Sequence, residues 1–116
     1  MATASDHFDQ YKRNRALLGN LATLSPPPWD WMVTITFYAA VHLVEYIIVS
    51  KLNKSSENHD QRKKYIAMVS ELKPIGKIYM RLEFISHQSR YQCIPFNEKS
   101  YKQCLKQLED IENKLI

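Results

Sequence analysis

Two side chains in the segment RLEFISHQSRY are of the types that cleave RNA without a metal ion. They are Arg81 and His87, with five residues between them. A histidine transfers protons near neutral pH, and an arginine stabilises the charge that develops on a phosphate. On an ideal helix such a pair points about 120° apart, so it converges only through the long arginine stem, a kink or a second protomer. The same spacing also arises by chance in basic helical proteins.

A second group of polar side chains lies within the most apolar segment of the chain. Tyr38, His42 and Glu45 are spaced at i, i+4 and i+7, so on a helix they share one face. Buried polar groups require partners, and we expect Glu45 to meet Arg62 or Arg90 from another helix. We interpret this group as a structural polar network rather than a catalytic site. Its predicted members are Tyr38, His42, Glu45 and Arg90.

The composition excludes several classes of active site. The two glycines, Gly19 and Gly76, stand alone, so the chain lacks a glycine-rich loop that binds phosphates. It has no Glu-x-x-His pair of a di-iron bundle, and two cysteines are too few for a four-thiolate zinc site or a disulfide-rich scaffold. The sequence therefore predicts no metal and no cofactor. It also predicts free thiols at Cys93 and Cys104 and a location in the reducing cytoplasm.

Positive charge is concentrated in the middle of the chain. The net charge is +4, and residues 51–81 alone contribute +5, from eight basic and three acidic side chains. Such a segment suits an anionic partner such as RNA, although a solvated helix face has the same composition. The candidate RNA contacts are Arg62, Lys63, Lys77 and Arg90.

Apolar residues recur at three- and four-residue steps along nearly the whole chain, which predicts helices. The first helix begins at a cap formed by Ser5 or Asp6 and ends before the proline triplet at 26–28. The second is apolar on nearly every side, so we expect it in the middle of a bundle. The later helices span about Trp29 to Leu52, His59 to Lys73, Ile75 to Tyr91, and a last segment capped by Asn97. The sequence thus predicts a single all-α domain over residues 1–116, a compact antiparallel bundle of four to five helices.

The apolar run from Trp31 to Val44 is too short to span a membrane as a helix. It has 14 residues, whereas a span needs about 20, and Glu45 follows it directly. Residues 1–15 carry five charged side chains and no apolar stretch, so they do not resemble a secretory leader. We therefore expect a buried core helix and no contact with a membrane.

Three blocks of the sequence resemble the HEPN family, the higher eukaryote and prokaryote nucleotide-binding proteins. The blocks are W-x7-FYAAVHLVE from Trp29 to Glu45, NHDQRKKYI from Asn58 to Ile66, and L-x3-S-x3-RY from Leu82 to Tyr91. The first block is the most specific, and the other two follow in the expected order. The similarity extends over nearly the whole chain, from about Phe8 to Ile111.

The resemblance implies a helical bundle that pairs as a homodimer and belongs to a prokaryotic toxin–antitoxin or antiviral system. Many members are metal-independent ribonucleases with an R-x4–6-H motif, which Arg81 and His87 match in spacing. The implied roles are general acid or base for His87 and stabilisation of phosphate charge for Arg81. The implied partners are RNA and a cognate antitoxin or effector protein. Other members are inactive, so the alternative is a non-catalytic helical module that binds a partner protein or a nucleotide.

Overall fold

Five α-helices and one short 3-10 helix account for most of the chain, and no strand is present. The computed structural model describes all 116 residues, Met1–Ile116. The helices are α1 (Ala4–Leu21), α2 (Trp29–Leu52), α3 (His59–Met68), α4 (Gly76–Tyr91) and α5 (Glu98–Leu115), and the 3-10 helix is Lys73–Ile75. They pack into a body of 42 × 24 × 24 Å. The prediction of an all-α helical bundle is confirmed.

Helix α2 runs through the middle of the bundle. It contacts each of the other four α-helices, and 13 of its 24 residues are buried. Its apolar side chains point in nearly every direction around the helix axis, so every side of the helix can be covered by a neighbour. The central position expected for this segment is observed.

The same helix is the one segment long and apolar enough to cross a membrane by length and composition. It is longer than the apolar run in the sequence, because the helix continues through Glu45 to Leu52. In the folded chain, 72% of its most apolar window is buried inside the bundle. Most of this apolar surface is therefore already covered by the other helices.

Side-chain caps fix where three of the helices begin. The Thr3 hydroxyl accepts from the Asp6 amide at 3.0 Å, and the Asp6 carboxylate accepts from the Thr3 amide at 2.9 Å. This reciprocal capping box places the start of α1 before Ser5, so the predicted cap at Ser5 or Asp6 was wrong. Asn58 and Asn97 cap α3 and α5 without a return bond, each side chain accepting from an amide three residues later.

The segment between α3 and α4 departs from the sequence prediction. Helix α3 ends at Met68 rather than at Lys73, because Val69 adopts an extended backbone with φ −81° and ψ 119°. Pro74 has no amide hydrogen and so could not extend the hydrogen-bond ladder of α3. The 3-10 helix around this proline instead leads the chain into α4, which begins one residue later than predicted.

Candidate nucleic-acid interface

Helix α4 has one buried face and one exposed apolar face. Tyr79, Leu82 and Ser86 are buried against the bundle. The exposed face carries Met80, Phe84, His87 and Tyr91, at i, i+4, i+7 and i+11. Three exposed apolar side chains on one helix face, beside an exposed histidine, make this face a candidate contact surface.

A groove of about 450 Å³ lies between α3 and α4, and we call it the α3–α4 groove. Its lining residues are His59, Asp60 and Lys63 from α3, and Met80, Glu83, Phe84, His87, Arg90 and Tyr91 from α4. The groove thus holds two imidazoles, two cations and two carboxylates beside three largely apolar side chains. Cations next to exposed aromatic rings suit a ligand that is both anionic and aromatic.

His87 lies in this groove with its ring nitrogens unoccupied. Its ring is exposed and packs against Tyr91, with 4.9 Å between the ring centroids. The histidine side chains that form hydrogen bonds within the chain are His7, His42 and His59. Both nitrogens of His87 are therefore free to form hydrogen bonds with a bound ligand.

His59 is held as a neutral imidazole at the α3 side of the groove. Arg62 Nη1 lies 3.0 Å from His59 Nδ1, and since a guanidinium only donates, Nδ1 accepts and carries no proton. Burial and the positive charge of Arg62 lower the pKa of His59, in agreement with this geometry. Glu83 Oε2 lies 3.9 Å from the same nitrogen and is buried without a hydrogen-bond partner.

Arg90 is fixed between aromatic rings at the edge of the groove. Its guanidinium carbon lies 5.0 Å from the ring centroid of Tyr91, 5.5 Å from that of Phe37 and 5.6 Å from that of Tyr38. Its Nη1 also donates to the Tyr38 hydroxyl at 3.0 Å. Its Nε donates to the Ser86 carbonyl at 3.4 Å. These contacts hold the cation in a defined place, and its Nη2 group can face a phosphate.

The structure does not bring Arg81 and His87 together within one chain. Helix α4 is continuous from Gly76 to Tyr91, and ideal helix geometry sets the two side chains about 120° apart. Arg81 is exposed, does not line the α3–α4 groove, and forms no ion pair. Lys77 precedes it by four residues on the same side of α4 and is also exposed. These two cations form a separate positive surface.

Of the four predicted RNA contacts, Lys63 and Arg90 line the groove, and Lys77 lies outside it. Lys63 Nζ lies 2.9 Å from Glu83 Oε1, and this carboxylate raises the pKa of Lys63. Arg62 lies beneath the groove and is occupied by the core. Its Nε donates to Glu45 Oε1 at 2.8 Å, and its side chain is only 12% exposed. Arg62 therefore supports His59 and Glu45 instead of reaching the surface.

The three polar residues on one face of α2 reach three different helices. Glu45 pairs with Arg62 of α3, not with Arg90, and also accepts from the Ser56 amide at 3.2 Å. Tyr38 meets Arg90 of α4. His42 meets His7 of α1, with 3.0 Å between their Nδ1 atoms. The face predicted to carry one network thus carries three separate contacts.

The His7–His42 contact is expected to make the fold sensitive to acid. One Nδ1 must accept, so the contact requires at least one neutral ring. Burial, and then the charges of His7, Arg62 and Arg13 against that of Glu45, lower the pKa of His42. The unfolded chain then binds more protons, so stability falls as the pH drops below about 6.5 and levels off below the lowered pKa. Thermal unfolding followed by circular dichroism should show that acidification lowers the stability of His42→Gln by less than that of the unmodified protein.

The matched comparison for that measurement is Asn14→Gln, which alters a half-buried polar side chain of α1 that bonds to Gln10 and not to a histidine. This variant should lose as much stability on acidification as the unmodified protein does. An equal acid loss in His42→Gln would show that the imidazole pair does not cause it.

The two cysteines are free, and one of them is buried. Cys104 is buried, and burial raises the pKa of its thiol to about 11, so it remains protonated and unreactive. Cys93 is exposed and free. No three His, Cys, Asp or Glu side chains lie close enough together to hold a metal ion.

Sequence reasoning did not single out His59, Glu83 or Phe84 as groove residues. A signal was present, since His59 precedes Lys63 by four positions and Glu83 precedes His87 by four. The spacing does not indicate that the two helix faces meet, because that depends on how α3 packs against α4.

Comparison of the chain with protein-family models, with curated proteins and with solved structures finds no match.

Proposed function

We propose that this chain is a HEPN-like, metal-independent ribonuclease or RNA-binding protein that acts in the cytoplasm as a homodimer, in a toxin–antitoxin or antiviral system. The resemblance of three sequence blocks supports the family, and the five-helix bundle agrees with it. The observation that carries the proposal is the α3–α4 groove, where the free imidazole of His87 lies among cations and exposed aromatic rings.

Single-stranded RNA fits the chemistry of this groove. Bases stack on exposed aromatic side chains, for which Phe84 and Tyr91 are available. Phosphates need cations, which Lys63 and Arg90 supply. A protonated or neutral His87 can then donate or accept a proton at the sugar–phosphate linkage.

Cleavage in this proposal requires two copies of the chain. Arg81 does not line the groove that holds His87, so in this proposal Arg81 of the second protomer stabilises the phosphate at each His87. A two-fold pairing through α4 would also bring two copies of His87 into one cleft. One imidazole would then act as the base and the other as the acid, which a single histidine cannot do at once.

Replacement of Lys63 by glutamine tests RNA binding at the groove. We expect several-fold weaker binding of labelled single-stranded RNA. The slope of log affinity against log salt concentration should become smaller by about one unit, because one phosphate contact is lost. The matched control is Lys51→Gln, since Lys51 also pairs with a glutamate, Glu71 at 3.5 Å, but lies outside the groove. Fluorescence anisotropy in EDTA at several salt concentrations measures both variants. Equal affinities for the two variants contradict this binding site.

One observation favours the alternative, a non-catalytic module that binds a partner protein such as an antitoxin or effector. A single chain does not place Arg81 beside His87, whereas the exposed face of α4 carries several large apolar side chains. Apolar strips of this kind are typical of protein–protein contacts. The cleavage assay described in the Discussion separates the two functions.

A further inference from the structure

A second cavity adjoins the α3–α4 groove and has no role in the proposal above. It has a volume of about 600 Å³ and lies between the first turns of α2 and the end of α4. We call it the Trp31 pocket, after its largest exposed side chain. Trp31, Tyr38 and Tyr91 line it together with Arg90 and Asp30.

Trp31 is one of three strongly exposed aromatic residues of this chain, with Phe84 and Tyr91. Its side chain is 69% exposed although it stands at the start of the most buried helix. Trp29, two residues earlier, packs on Tyr101 with 5.6 Å between ring centroids. The fold therefore uses one tryptophan for packing and leaves the other at the mouth of a cavity, where its ring is available to a ligand.

The walls of the Trp31 pocket are held in place by bonds between distant segments. Ser89 Oγ donates to the Asp30 carbonyl at 3.0 Å, which ties the end of α4 to the start of α2. The Phe96 amide donates to Asp30 Oδ1 at 2.7 Å and ties the following loop to the same residue. These contacts position the rings before a ligand arrives, which lowers the entropic cost of binding.

The pocket and the groove are adjacent and share Arg90 and Tyr91 as lining residues. We infer that the Trp31 pocket binds a nucleobase of single-stranded RNA whose phosphate lies at Arg90 and in the α3–α4 groove; the inference rests on the proposed function. Trp31 offers a stacking surface, and the Asp30 carboxylate can accept from the amino group of a base. Arg90 supplies the charge for the phosphate at the boundary between the two cavities.

Trp31 fluorescence provides a direct test. In a Trp29→Phe protein, Trp31 is the only tryptophan. The probes are a 2′-O-methyl adenosine oligomer, which cannot be cleaved through its 2′-oxygen, and an abasic oligomer of equal length and charge. We expect the adenosine oligomer to quench Trp31 and to bind about tenfold more tightly than the abasic one, a difference of about 1.4 kcal/mol. The abasic oligomer should bind without quenching.

The variant Trp31→Ala, in the otherwise unmodified protein, should lose about this tenfold preference while keeping its affinity for the abasic oligomer in an anisotropy assay. Met68→Ala is the control, because Met68 is exposed on α3 and lines neither cavity. Equal binding of both oligomers without quenching overturns the base pocket and leaves RNA binding at the groove intact. Failure of both oligomers to bind overturns the proposed function as well. A change of mass in light scattering for Trp31→Ala overturns the inference and assigns the pocket to a second copy of the chain.

Discussion

Replacing Glu45 by alanine is expected to lower the free energy of unfolding by about 3–5 kcal/mol, because the change leaves Arg62 as an unpaired charge inside the bundle. Glu45 is 3% exposed, and its carboxylate bonds to Arg62 Nε at 2.8 Å. The same carboxylate accepts from the Ser56 amide, so its loss also releases the loop between α2 and α3. Urea unfolding followed by circular dichroism gives the difference directly.

Two further variants distinguish the loss of the buried Glu45–Arg62 ion pair from the general effect of removing a carboxylate. Glu109→Ala removes a half-exposed carboxylate that lies 4.0 Å from Arg15, and should change stability by no more than about 0.5 kcal/mol. The double variant Glu45→Leu with Arg62→Met removes both charges and should recover much of the loss. A loss below about 1 kcal/mol in Glu45→Ala would mean that the pair contributes little to the fold.

The central helix was predictable, but the end of α3 was not. In α2 the proline triplet, the apolar surface on every side and the polar loop after Leu52 all favour the same boundaries. After Met68 the spacing of Val69 and Leu72 suits a longer helix equally well. Both side chains are buried although the chain has left the helix, because a turn and a 3-10 helix also direct every third residue inward.

The sequence predicts which residues of the candidate site share a face of one helix. It does not predict which residues of different helices meet. The common face of Tyr38, His42 and Glu45 follows from helical spacing, as does the divergence of Arg81 from His87. The contact partners of Tyr38, His42 and Glu45 depend on which helix packs against α2 at each position along its length. His7 in particular stands 35 positions from His42 and has no local pattern that links it to that residue. The α3–α4 groove forms only because α3 and α4, which lie in different parts of the sequence, pack side by side.

The prediction with the largest effect is cleavage of single-stranded RNA by the protein in EDTA. The 2′-hydroxyl attacks the adjacent phosphorus and loses its proton to one imidazole, while the 5′-oxygen leaves with a proton from another. The products therefore carry a 2′,3′-cyclic phosphate at one end and a 5′-hydroxyl at the other. Replacement of His87 by alanine should lower the rate by at least about 10²-fold, because proton transfer in the transition state is lost. Labelled RNA resolved on denaturing gels, with analysis of the end groups, measures rate and product together.

Replacement of Arg81 by alanine should reduce cleavage to a similar degree, by about 10²–10³-fold, because Arg81 is the group proposed to stabilise the charge that develops on the phosphate in the transition state. Arg13→Ala is the matched control, since Arg13 is an exposed arginine of α1 that bonds only to Gln10. Arg81 and His87 are both exposed, so neither replacement should alter the melting temperature by more than a degree or two.

The assay uses the fraction that light scattering identifies as a dimer of the 13.7 kDa chain, because the proposed reaction pairs each His87 with Arg81 of the second protomer. If this dimer leaves RNA intact, or if His87→Ala cleaves as fast as the unmodified protein, the R-x5-H pair is not catalytic. The exposed face of α4 then belongs to a non-catalytic binding module.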